Sequence, residues 1–148
     1  MGRSQPNPSS GPLSGHGPPP GRERIVAISK VLVVDDDVAV RQLVCDVLEA
    51  YGYDTAAAED GFTALRLLES VRPDCVVLDI MMPGMDGHSV LRRIRESDGG
   101  ADLPVVMLTA AADDQQAWQA WSEGVDYFLA KPFEPDELLR FLRYLTAA

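Results

Sequence analysis

The chain has 148 residues, about one domain's worth of sequence. Its hydrophobic fraction of 46% is ordinary for a folded globular protein and leaves enough apolar surface for a core. A net charge of −10 argues against non-specific nucleic-acid binding and against docking on anionic lipid, both of which need a basic footprint.

No run approaches the ~18 apolar residues of a membrane span, and the N-terminus lacks the apolar core of a signal peptide. Met1-Gly2 is followed by Pro6 where a myristoylation motif wants Ser or Thr. Cys45 and Cys75 lie in apolar stretches without CxxC spacing. They read as buried free thiols in a reducing compartment, so the expected location is the cytoplasm.

Residues 1–28 are expected to be a disordered tail. The stretch 5–21 is mostly Pro, Gly and Ser with Leu13 as its one apolar residue, too little to offset the cost of ordering. Pro18-Pro19-Pro20 has polyproline II composition, although an inert tail is the simpler reading. Arg3, Arg22 and Arg24 outnumber Glu23 there, so the remainder is more acidic than the whole.

From residue 29 to 148 one domain is expected, in which strand-like and helix-like patterns alternate. The apolar run over 30–34 predicts a first strand. Val40, Leu43, Val44, Val47 and Leu48 recur at helical spacing over 38–50, and Gly52 ends that helix. A weak second strand falls at 53–57. Asp60 is a candidate N-cap for a helix over 61–70, and Pro73 precedes a third strand at 74–78. The turn segment 82–87 leads into a helix at 89–96 with arginines on its outer positions. A fourth strand at 104–108 ends at Thr109. A helix is expected from Asp113 or Asp114 to Glu123, closed by Gly124. A fifth strand at 127–130 ends at Lys131, and Pro135 opens a last helix that turns Leu138, Leu139, Phe141, Leu142 and Leu145 toward the core.

This order is (βα)5, an α/β doubly wound parallel sheet with helices on both faces and right-handed crossovers. Strands buried on both faces read as continuous apolar runs, as here. In such folds the functional site lies beyond the carboxyl ends of the strands. Asp35 and Asp36, Asp79, Thr109 and Lys131 all stand at strand ends. Carboxylates grouped at two such ends would repel one another, and a hard divalent cation with oxygen ligands, such as Mg²⁺, relieves that conflict.

The fragments V-V-D-D-D after the first strand, V-L-D-I-M-M-P-G-M-D-G after the third, V-M-L-T-A at the fourth and A-K-P-F at the fifth resemble a receiver domain of a two-component response regulator. The resemblance covers about residues 30–148. It implies a flavodoxin-like sheet of strand order 2-1-3-4-5 and a cytoplasmic signalling phosphoprotein rather than an enzyme. It implies Asp79 as phospho-acceptor, and Mg²⁺ held by Asp35, Asp36, Asp79 and the backbone carbonyl of Met81. Lys131 and Thr109 would contact the phosphoryl group, and the Lys131-Pro132 bond would be cis.

The donor would be a histidine kinase or a histidine phosphotransfer protein. The switch would draw Thr109 inward and turn the aromatic at Phe128, remodelling a face formed by the fourth helix, fifth strand and last helix. That face would meet a downstream protein partner or a second copy of the chain, and it carries Trp118, Trp121, Tyr127 and Tyr144. Met81 and Ala111, two residues beyond Asp79 and Thr109, cannot position an attacking water, so slow self-hydrolysis is expected.

Each residue taken singly has an ordinary structural reading. Asp35–Asp37 suit a helix N-terminus, Thr109 a strand end, Lys131 a surface turn, Asp79 a loop and Phe128 the core. The rival functions are a phosphorylation-independent receiver-like interaction module and an aspartate-nucleophile phosphatase. The first is disfavoured because none of the key residues is lost. The second is disfavoured because Ala39 stands where its DxDx[TV] pattern needs Thr or Val. With Ala148 just past the last helix, the chain reads as a stand-alone receiver or as part of a longer regulator or hybrid kinase.

Overall fold

The computed structural model describes residues 28–110, 119 and 121–146. The tail through residue 27, Ala111, Trp118, the Leu145 side chain and most of the helix expected at 113–123 lie outside the described residues.

Five parallel strands form one sheet in the order β2-β1-β3-β4-β5. They are β1 (Lys30–Val34), β2 (Asp54–Ala58), β3 (Cys75–Asp79), β4 (Val105–Thr109) and β5 (Tyr127–Ala130). The described helices are α1 (Val38–Ala50), α2 (Gly61–Val71), α3 (Gly87–Glu96) and α4 (Pro135–Thr146). β2, β3 and β4 each start one residue later than their sequence pattern predicts. α3 starts two residues earlier, because the Asp86 carboxylate caps it by accepting from Ser89 N.

The central strands β1, β3 and β4 are nearly continuous in apolar residues because each serves two layers. Val31 and Val33 of β1 face one core with Cys75, Val77, Val106 and Leu108, against Val44 and Leu48 of α1 and Leu138 and Leu142 of α4. Leu32 and Val34 face the other core with Val76, Leu78, Val105 and Met107, against Val90, Leu91 and Ile94 of α3. Successive side chains on a strand point to opposite faces, so a strand covered on both sides cannot alternate polar and apolar.

Local chemistry sets the helix starts. Asp37 caps α1 by accepting from Ala39 N and Val40 N. Asp60 caps α2 by accepting from Thr63 N. α3 begins hard against the end of β3. A Cβ on Gly87 would lie 2.4 Å from the Asp79 carbonyl oxygen, so only glycine fits. The register aligns the strand ends: Val34 sits beside Leu78, Asp79 beside Leu108, and Thr109 beside Ala130. The residues that follow β1, end β3 and β4, and follow β5 therefore meet at one edge.

Candidate functional site

At that edge Asp35, the first residue past β1, is fully buried, and Asp79 at the end of β3 is nearly so. Lys131, directly after β5, places its Nζ 3.0 Å from Asp35 Oδ2 and 3.2 Å from Asp79 Oδ1. One cation thus faces two buried carboxylates. Asp36 is exposed at the rim. Carboxylate oxygens of Asp35, Asp36 and Asp79 lie within 4.8 Å of one another.

The charge balance is poor. Burial, then the Asp35 charge beside it, pushes the Asp79 carboxyl up to about 6 against the pull of Lys131. Burial alone would lower the Lys131 ammonium. Its contacts with Asp35 and Asp79 outweigh that and hold it above its usual range.

Asp35 is tightly held. Its N–H donates to the Ala58 carbonyl at 3.1 Å, and its Oδ1 accepts from Asp37 N at 2.9 Å. Its Oδ2 has no aligned hydrogen bond, so the contact with Lys131 is a bare ion pair. A buried carboxylate oxygen short of partners, beside two more carboxylates, is an all-oxygen donor set that fits a hard divalent cation.

Thr109 closes β4, buried, and its carbonyl accepts from Lys131 N at 2.6 Å. The Lys131–Pro132 peptide is cis. The Met81 side chain, just past β3, is exposed. Phe128 is half-buried against the core layer shared with α2 and α3. The edge therefore brings Asp35, Asp36, Asp79, Thr109 and Lys131 together, with Met81 in the loop directly after Asp79 and Phe128 in the strand leading to Lys131.

The response regulator receiver domain model matches residues 31–143. The chain belongs to the response regulator receiver domain family. It is similar to the DNA-binding dual master transcriptional regulator RpaA of Synechocystis, 40% identical over 116 residues covering 78% of this chain and 48% of that protein. It is also similar to the DNA-binding response regulator MtrA of Mycobacterium tuberculosis, 41% identical over 114 residues covering 77% of this chain and 49% of that protein. The chain spans about half the length of these curated relatives. Among solved structures, the Vibrio cholerae chemotaxis protein CheY4 superposes with a TM-score of 0.76 at 33% identity, covering 80% of this chain and 99% of that one. The receiver domain of the Francisella response regulator 1452 gives 0.73 at 36% identity, covering 80% and 96%.

The sequence pattern did not reveal the polar links around this receiver domain's α3. His88 is buried, with Nδ1 2.9 Å from Glu123 Oε1, and Arg92 reaches the other Glu123 oxygen at 2.7 Å. Arg95, expected on the outer face, is instead drawn inward. It donates to the carbonyls of Gly124, Gly100 and Leu103 and to Asp126 Oδ2. Of the aromatics expected on the output face, Trp121 is half-buried against the core. Tyr127 stacks on Phe141 with centroids 4.7 Å apart, and Tyr144 is exposed. Among the described residues no helix is long and apolar enough to cross a membrane.

Proposed function

We propose that this receiver domain accepts a phosphoryl group on Asp79 from a histidine kinase or histidine phosphotransfer protein, in the cytoplasm, as a signalling phosphoprotein rather than a turnover enzyme. The observation that carries this reading is Lys131, poised between two buried carboxylates that a single cation cannot neutralise. An Asp79 carboxylate oxygen forms the new bond to phosphorus. The nitrogen–phosphorus bond of the donor histidine breaks, and the imidazole keeps the electron pair. Lys131 meets the phosphoryl oxygens from one side, and the Thr109 hydroxyl donates to one of them.

Asp35, Asp36, Asp79 and the Met81 carbonyl would hold Mg²⁺. When bound, the cation offsets the negative charge of carboxylate and phosphoryl oxygens. Phosphorylation adds close to two negative charges beside Thr109. Movement of Thr109 and of Phe128 would carry that change to the face of β5, α4 and the segment before β5, where a downstream protein or a second copy docks.

The test is incubation with acetyl phosphate and Mg²⁺, read by intact mass, with Asp79→Asn in parallel. The expected result is a gain of about 80 Da that needs Mg²⁺ and is absent from the variant. A folded wild type that gains no mass, from acetyl phosphate or from a panel of phosphorylated histidine kinases, would make the domain a phosphorylation-independent interaction module.

A further inference from the structure

We propose that Arg41 is a positioning residue for the cation site, tethering the peptide unit that joins Asp35 to Asp36. The inference rests on the Mg²⁺ reading above and assigns part of that site's affinity to a residue outside the acid cluster.

Three polar groups of Asp35 are fixed by three different parts of the chain. Its N–H is held by β2 and its Oδ1 by the Asp37 N–H. Its carbonyl oxygen accepts from the Arg41 guanidinium at 2.7 Å, a charge-assisted bond from the first turns of α1. That carbonyl belongs to the peptide leading into Asp36, so its direction sets where the Asp36 side chain departs. On the other side, Asp37 is locked as the cap of α1. Asp36 is therefore strung between two anchored points, although it is itself exposed. Without Arg41, the 35–36 peptide loses the bond on its carbonyl and gains rotational freedom. The three carboxylate oxygens then spend less time in mutual reach.

Charge and position predict opposite outcomes, which makes the idea testable by sign. Arg41 carries a positive charge near a cation site. Coulomb repulsion alone predicts that neutralising it tightens cation binding. The tether predicts that binding weakens.

The experiment titrates the full chain, stripped of metal, with Mg²⁺ by calorimetry and with Mn²⁺ by electron paramagnetic resonance. Arg41→Ala, Arg41→Met and Arg41→Lys are compared with wild type, with Asp36→Asn as the ligand-loss control. The expected Kd rises about tenfold in the alanine and methionine variants, the scale at which groups supporting a ligand usually act. Lysine, which keeps a donor, recovers part of the loss. In acetyl phosphate labelling, the half-saturating Mg²⁺ concentration rises in proportion while the rate at saturating Mg²⁺ stays at the wild-type value. Thermal midpoints in chelator separate this from general damage. Methionine keeps the apolar stem, so it decides the matter if alanine unfolds. Wild-type binding with unchanged or tighter binding by Arg41→Met overturns the tether alone. A wild type that takes up no divalent cation overturns the Mg²⁺ reading, and the tether with it.

Discussion

Asp35 and Asp126 are both fully buried, yet they are held in opposite ways. Asp126 Oδ2 accepts from Val105 N at 2.8 Å and from Arg95 at 3.2 Å, while its own N–H donates to the Val105 carbonyl. Arg95 then spreads its remaining donors over three backbone carbonyls. Its charge is matched from within the fold by Arg95. At the other end of the sheet, Asp35 and Asp79 share Lys131, one positive charge between two buried carboxylates. One region is settled by its own chain. The other is left short of positive charge, the condition under which an incoming cation or a transferred group gains the most. Buried polar groups reward complete pairing and penalise partial pairing, so the contrast separates a structural network from a site.

Removing an acid should have opposite consequences in the two places. The largest effect is expected from Asp126→Ala, which takes a buried counter-charge from the Arg95 side chain, itself only 15% exposed. We expect a loss of about 3 kcal/mol in urea unfolding. Asp79→Asn should do the reverse. It removes one of two repelling buried carboxylates, and the metal-free protein should gain about 1–2 kcal/mol by the same measurement. Destabilisation by both variants would erase the distinction.

A further expectation is a slope with pH. Asp79 titrates near 3.8 when unfolded and at about 6 when folded. Between those values the folded chain holds a proton that the unfolded chain has lost, so metal-free stability should fall as pH rises through that window. Denaturation midpoints taken at pH steps across it should show the decline in wild type and a flatter profile in Asp79→Asn.

The settled region was far less legible in the sequence than the unsettled one. Val31–Val34 and Cys75–Leu78 announce doubly covered strands by being apolar without interruption, and the acids that follow stand out against them. Asp60 was readable as a cap, and Asp37 as a helix N-terminal acid, because both are local chemistry. Arg95 pairs with a residue 31 positions away, and His88 with one 35 away. No periodicity marks such pairs, because only the packed sheet decides which polar side chains face each other. Arg41 lies just six residues from its partner, yet a helix arginine that bonds a strand-end carbonyl looks in sequence like any solvated one. The β2 boundary slipped by one because Asp54–Ala58 is an edge strand of small residues with a faint hydrophobic pattern.

The two-layer use of each strand also limits where the chain can change in length. Val77 serves the core under α1 and α4, Leu78 the core under α3, and Asp79 comes next in line. An extra residue inserted within β3 would exchange the two cores' side chains downstream of it and shift Asp79 by one place against Lys131. Packing and chemistry are thus indexed by the same residue count. Insertions inside β3 should be selected against twice over, while the connecting segments outside the strand-end edge bear length variation more freely.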